Sequence, residues 1–498
     1  MADAGDAGDE ARGVGVNLLT LLAQASLPAF HVQLARRLGA GGYGLYTWST
    51  AVVDSLSVIT VFGMDLAVSR GVSLARAKGD RAEAARVTGV ALRVVAISGL
   101  VVSAAVILAA PALAEWQRKP GLVAPLRTLV AVPVAYHLAS MFIVATQAMR
   151  VMKWDFWVRG LFQPLSLLAL TTALLTVDTT VASACQAVAL GMIGTAALAA
   201  FAFNRELPLR PALSVALRGP VDWKVVRTGL PVVVTNLVWA LQGRLDAFLL
   251  GRWRPSEDVG AYSAAVLYVI ALSQVRGTVY PIVCATVPPA LERGDIAGLN
   301  TFIQRQTRWV ATLAMPLAVL FGGFGDGLLA LFGPAFVRAV PALAILSCAH
   351  LVAALAVPAY TLFLSGRALY SAASGVLCLA VQAALLPALV PRWGLTGAAA
   401  ASASGLVASQ VMQLAITWRV VGVHGLSLGL GKVAVAAASG LASGRLLFDH
   451  LPFGLAPRFF VGVGVAALVY LGVLLSLGLE RAEREALDAL LAFARRRR

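Results

Sequence analysis

Four charged side chains, Asp54, Arg244, Asp246 and Arg276, interrupt stretches that are otherwise apolar. An ionisable group inside a membrane-length apolar run costs about 2.5–3.5 kcal/mol on insertion scales, so each is a candidate for function. A guanidinium presents planar paired donors that match phosphate oxygens, which makes Arg244 and Arg276 candidate anion contacts. Snorkelling to an interface, or a structural ion pair, is the competing reading for both. Arg244 and Asp246 stand two residues apart and point to different sides of a helix, which argues against a pair between them. Asp54, near the middle of its run, is the first candidate for a coupling proton or sodium ion, and Asp246 the second. A permanently protonated acid in an interhelical hydrogen bond competes with that role at each position.

The uncharged polar groups follow a spacing. Asn17, Gln24 and His31 recur every seven residues, nearly two helical turns, and so share one face. Such a stripe either lines a polar cavity or makes interhelical hydrogen bonds, worth about 0.6 kcal/mol on average. Asn236 and Gln242 are further candidates for contacts to a polar ligand, followed by Gln147, Gln274, Gln382, Gln410 and Gln413. His350 reads as a packed histidine. The four cysteines, Cys185, Cys284, Cys348 and Cys378, each stand alone in apolar surroundings and read as packing residues, without metal or disulfide spacing. No GxxxxGK[ST] loop is present, so any energy comes from a proton, sodium or substrate gradient, and no cofactor is expected. Gly39-Ala-Gly-Gly-Tyr-Gly44 superficially matches a dinucleotide fingerprint but lacks the strand that such a site needs.

These residues sit in a chain of 498 residues that is 59% apolar and 13% charged, with a mean hydropathy of +0.82. Soluble domains are about 45–50% apolar and about 25% charged, so the composition excludes a disordered chain, a nucleic-acid-binding domain and an ordinary cytosolic enzyme. The expected fold class is an all-α polytopic membrane protein. A crossing needs about 20 mostly apolar residues. Such runs lie near 15–35, 43–69, 89–112, 126–147, 157–177 and 180–203, then 227–250, 259–283, 307–332, 340–364, 368–390 and 395–418. Two more near 430–448 and 457–478 bring the expectation to fourteen, the Ala- and Gly-rich thirteenth being the weakest. The acidic start lacks the basic region of a signal peptide, so the first run is expected to stay as a span.

The net charge of +16 falls in clusters between the runs. With the amino terminus placed in the cytoplasm, 27 of the 40 Lys and Arg residues fall on that side and 10 on the other. Cytoplasmic loops are enriched in basic residues, which places both termini in the cytoplasm and assigns the charge to topology rather than to nucleic acid. The basic segment 479–498 has helical apolar spacing at Leu487, Leu490 and Leu491; it suits either an inner-leaflet contact or a plain stop-transfer flank.

A repeat at about 216 residues organises the whole. Leu38-Gly39…Gly44-Leu45-Tyr46 matches Leu250-Gly251…Gly260-Ala261-Tyr262, and Gly79-Asp80 matches Gly294-Asp295. Pro111-Ala-Leu and Arg93 align loosely with Pro334-Ala-Phe and Arg308. The offset spans an even number of helices, so the copies are parallel, an arrangement that suits transport between two lobes. The expected organisation is a cytoplasmic segment 1–14, a first lobe 15–203, a linker 204–226, a second lobe 227–418, two appended helices in 430–478 and the basic tail.

Ala35-Arg-Arg-Leu-Gly39…Tyr43-Gly-Leu-Tyr46, Val61-Phe-Gly-Met-Asp-Leu-Ala-Val-Ser-Arg70 with Ala77-Lys-Gly-Asp80, and Asp246-Ala-Phe-Leu-Leu-Gly251…Asp258-Val-Gly-Ala-Tyr262 carry a resemblance. So do Leu331-Phe-Gly333 and Trp393-Gly-Leu-Thr-Gly-Ala-Ala399. In order along the chain, they resemble the lipid-linked oligosaccharide flippases, the polysaccharide-export branch of the superfamily that also holds multidrug extruders and lipid II flippases. The resemblance implies two six-helix lobes around a central cavity. It also implies movement of an undecaprenyl-pyrophosphate-linked glycan from the inner to the outer leaflet of a bacterial inner membrane by alternating access. Membrane lipid, a polysaccharide polymerase and export machinery are the implied partners. A lipid II flippase or a cation-coupled multidrug exporter on the same scaffold is the alternative. A membrane-embedded polymerase would need a long outer loop, and every outer loop here is short.

Overall fold

The computed structural model describes residues 3–218, 236–238 and 240–478, with side chains from Ser26 onward apart from Ala368. Among these residues every regular element is helical. In lipid each backbone N–H and C=O must be satisfied within the protein, and a helix does this inside one segment. Nine helical stretches are long and apolar enough to cross a membrane among the described residues. Two of them, Ser26–Ala77 and Leu369–Val421, have 52 and 53 residues, more than twice what one crossing needs. The structure thus bears out an all-helical polytopic membrane protein, while the expected number of fourteen spans is not reached by this criterion. The first two expected runs meet inside α1 (Asp3–Val61), which is broken between them at Gly39, whose φ of 69° glycine adopts without strain.

The described residues fall into two compact units, within 1–263 and 264–498. In the first, α1 is followed by α2 (Met64–Ala77), α3 (Arg81–Trp116), the short α4 (Val123–Leu129) and α5 (Ala131–Ala148). A helix from Lys153 passes through a π-helical turn at Phe156–Phe162 into α6 (Gln163–Val177), and α7 (Val181–Glu206), α8 (Leu209–Arg218) and α9 (Leu245–Trp253) follow. The core packs Met64, Val68 and Val72 of α2 against Ala85, Leu92 and Val95 of α3 and Met141 and Ile143 of α5. Phe142 and Phe203 meet across α5 and α7 with ring centroids 5.3 Å apart. Close approach relies on small residues, since helices in lipid associate by packing rather than by excluding water. A Cβ on Gly89 would lie 2.4 Å from the Ala212 carbonyl oxygen of α8.

The second unit holds most of α10 (Ser256–Gly277), then α11 (Tyr280–Glu292), α12 (Ile296–Gly323), α13 (Gly325–Ala330) and α14 (Val340–Leu355). The short α15 (Ala359–Leu364), the long α16 (Ala368–Val421, broken at Gly394), α17 (Leu428–His450) and α18 (Leu455–Ser476) complete it. The Ala- and Gly-rich thirteenth run forms α17, and its composition has a packing reason: a Cβ on Gly444 would lie 2.5 Å from the Gly462 carbonyl oxygen of α18. Arg445 of α17 donates to the Gly323 carbonyl oxygen at 2.9 Å and pairs with Asp326 at 3.0 Å, which makes it structural.

The repeat reappears as geometry. Gly79 and Gly294 both take a left-handed φ, 71° and 69°. Each is followed by an aspartate that caps the next helix: Asp80 accepts from Glu83 N and Asp295 from Gly298 N, both at 2.9 Å. The left-handed glycine closes one helix and the carboxylate satisfies an orphan N–H of the next. Both copies also break their second helix, at Phe62-Gly63 between α1 and α2 and at Thr278-Val279 between α10 and α11, 216 residues apart.

Candidate functional site

In the first unit Arg244 and Asp54 meet across 190 residues of sequence, Nη2 donating to Oδ2 at 3.0 Å. Both side chains stay substantially exposed, 41% for Arg244 and 49% for Asp54. A charged pair is costly against hydrocarbon, which favours polar surroundings on its open side. Arg244 occupies the turn ahead of α9, where the non-helical backbone at φ −134° starts the helix.

Asp246, two residues on, points elsewhere, as its spacing requires. It is buried and accepts from the Tyr262 hydroxyl at 2.6 Å and from Ala247 N at 2.7 Å. His31 Nδ1 lies 3.2 Å from the Tyr43 hydroxyl, and the Tyr43 and Tyr46 rings stack at 6.4 Å. Gln242 and Asn236 are half-buried on the segment leading to Arg244. The side chains of Asn17 and Gln24 lie outside the described residues.

One end of this unit is tied together by the two repeat motifs. A Cβ on Gly44 would lie 1.8 Å from the Ser256 carbonyl oxygen, and one on Gly260 2.2 Å from that of Ala40. Gly251, the motif's other glycine, abuts Trp48. Gln117 Nε2 donates to the Phe248 carbonyl oxygen at 3.0 Å, and Lys119 Nζ donates to those of Gly251 at 2.8 Å and Arg254 at 3.0 Å. Burial lowers the Lys119 ammonium to about 8, against the opposing pull of Glu257 and Asp258. None of these partners was visible as a site in the sequence, although Gly44, Gly260, Tyr46 and Tyr262 were its repeat landmarks.

Arg276 lies in the second unit. Its Nη1 donates to the Ala353 carbonyl oxygen at 3.1 Å and to Gln410 Oε1 at 3.4 Å, and its guanidinium sits over the Tyr360 ring, 5.0 Å from the centroid. Tyr360 in turn meets Tyr280 at 4.9 Å. Gln413 donates to the Ser374 hydroxyl, and Gln382 is buried beside Cys378. Cys185 and Cys378 are buried, Cys284 is intermediate and Cys348 is exposed. No cluster of three metal-ligating side chains occurs among the described residues.

Residues 11–294 match the model of the polysaccharide biosynthesis protein family. The chain belongs to that family. No curated protein matches this member. Its fold is similar to that of the lipid II flippase MurJ in an inward closed conformation, with a TM-score of 0.70 and 11% identity over 92% of this chain and 98% of that one. It is also similar to an inward-facing multidrug resistance MATE family transporter of the MOP superfamily, with a TM-score of 0.65 and 14% identity over 80% and 98% of the two chains. A MOP superfamily transporter from Pyrococcus furiosus aligns with a TM-score of 0.54 and 15% identity over 82% and 93%. The family member is thus a multi-pass membrane protein with the fold of these transporters, in a family of polysaccharide biosynthesis.

Proposed function

We propose that the protein is a flippase that moves an undecaprenyl-pyrophosphate-linked oligosaccharide from the inner to the outer leaflet by alternating access. The observation that carries this reading is the half-exposed Arg244–Asp54 pair inside an apolar stretch. A pyrophosphate is a stronger and more multidentate acceptor for a guanidinium than one carboxylate. Substrate entry therefore exchanges Asp54 for phosphate oxygen on Arg244. The freed Asp54 is left beside an anion, which favours its taking up a proton. That exchange couples an ion to the substrate at Asp54, with Asp246, held by Tyr262, as the second ion-coupling candidate.

Arg276 is the anion contact of the second unit, its planar group presented on an aromatic face. His31, Asn236, Gln242 and Gln24 are the glycan contacts. The guanidiniums repel a cationic drug, which disfavours the multidrug-exporter alternative; a lipid II substrate keeps the same anion chemistry. The protein sits in a bacterial inner membrane with both termini cytoplasmic, as the distribution of basic residues supports.

The test is binding of an undecaprenyl-pyrophosphate oligosaccharide to the full chain in nanodiscs. Arg244→Ala is expected to weaken it, while a neutral polyprenol control binds wild type and variant alike. Equal affinity of both proteins for the pyrophosphate lipid contradicts the assignment.

A further inference from the structure

Each repeat holds a histidine on its fourth helix that faces a serine on its second. In the first copy the His137 ring of α5 lies against the backbone of Ser57. In the second, His350 Nδ1 of α14 is 2.6 Å from the Ser273 hydroxyl of α10. The serines are 216 residues apart and the histidines 213, the spacing of the glycine and tyrosine landmarks. Both serines stand five residues before the break in their helix, at Phe62-Gly63 and Thr278-Val279. Interruptions at corresponding positions of two repeats mark the sites where transporter helices handle ions and substrates.

His137 is 8% exposed, and both of its ring nitrogens are buried, with no partner beyond the backbone of Ser57. Buried ring nitrogens so sparsely satisfied cost free energy, which calls for an explanation. Thr60, three residues beyond Ser57, likewise has a buried hydroxyl without a partner. We propose that His137 and His350 are proton-binding sites, one in each repeat, set against the break in that repeat's second helix. A free imidazole changes charge near about pH 6.5 while a buried one resists it, so proton binding and opening of the site go together. A proton on either ring adds charge to a packed interior, and hydrating that charge favours parting of the helix at its break. Proton occupancy and helix geometry are then linked. Only the role of this device in flipping rests on the transport reading; proton binding itself does not.

The charges around each ring are specific. Around α5, Asp65 of α2 accepts from Ser140 at 3.1 Å, and Arg159 donates to the same hydroxyl at 2.8 Å. On the other elements packed against α5, Asp54 of α1 is held by Arg244, Glu206 of α7 by Trp154 and Lys153, and Arg93 lies on α3. Around α14, Arg276 of α10 bonds Ala353, Arg308 of α12 bonds the Gly478 carbonyl oxygen, and Asp326 of α13 pairs with Arg445. Arg392 and Arg419 lie on α16.

Hydrogen–deuterium exchange of the full chain in nanodiscs across about pH 5.5 to 8 tests the proposal without any substrate. After correction for intrinsic exchange, wild-type peptides covering 58–66 and 274–282 should lose protection on acidification, by up to about tenfold per pH unit for one linked proton. His137→Gln should abolish the response of the first segment alone, and His350→Gln that of the second alone. Ser273→Ala should move the midpoint of the second response, which a packing role would not do. A flat wild-type profile, or responses that survive both substitutions, overturns the proposal. If the wild-type response is present while the protein flips no pyrophosphate lipid, the proton sites stand and the transport reading falls.

Discussion

Arg244 offers the sharpest test at the residue scale, because the Asp54 carboxylate that it pairs with is half exposed. Charge-assisted hydrogen bonds contribute about 1.5–3 kcal/mol, so Arg244→Ala is expected to lower affinity for a pyrophosphate lipid by about 10- to 100-fold. Arg244→Lys should recover part of this, since an ammonium keeps the charge and loses the bidentate fork. Asp54→Asn removes the competing carboxylate: substrate binding should tighten while dependence of transport on an ion gradient falls, as proteoliposome assays would show. Charges inside apolar runs made both residues legible as candidates. Their pairing was not legible, because helical spacing carries no information across 190 residues. The bond from Tyr262 to Asp246 was hidden although Tyr262 was a repeat landmark, as a buried aromatic gives no sign of the acid it bonds.

Lys119 carries a pH signature. Its folded-state value of about 8 lies below the ordinary 10.5, so between these values the unfolded chain binds more protons than the folded one. Stability from this group therefore rises as pH increases from about 8 to 10.5. In thermal denaturation, the advantage of wild type over Lys119→Met should grow from about pH 8 to 10. An advantage that stays constant or shrinks contradicts the burial of this ammonium.

At the scale of elements, the glycines separate two kinds of constraint. Gly44 meets backbone oxygen at 1.8 Å from a would-be Cβ, and no side chain can rotate away to relieve this. Gly79 has open space around it and only a left-handed φ to satisfy. Gly44→Ala should cost more than the ~1–3 kcal/mol of ordinary overpacking, and Gly79→Ala about 1–2 kcal/mol. Equal melting temperatures for the two variants would contradict the tight seam between α1 and the start of α10. The Gly-Asp pairs were legible as repeat landmarks because a glycine stop and an aspartate cap have local chemistry. The helix breaks were not: Val61-Phe-Gly-Met64 and Gly277-Thr-Val-Tyr280 read as parts of continuous apolar runs.

For the whole molecule, composition alone settled the membrane class, and the repeat was readable because both copies use the same turn chemistry. The identity of the cargo was not readable, since phosphate recognition needs only a few cations and the glycan meets ordinary amides and hydroxyls. The family assignment narrows the chemistry to polysaccharide biosynthesis, and the fold to transporters. The most direct measurement is made in proteoliposomes holding the full chain, following an undecaprenyl-pyrophosphate oligosaccharide into the opposite leaflet with and without a proton or sodium gradient. Wild type should flip the lipid faster when the side from which it is taken is the more acidic, since Asp54 takes up a proton as the lipid binds, and Arg244→Ala should lose that flipping at normal abundance. Wild-type flipping by Arg244→Ala, or efflux of a cationic dye with no movement of the glycan lipid, would contradict it.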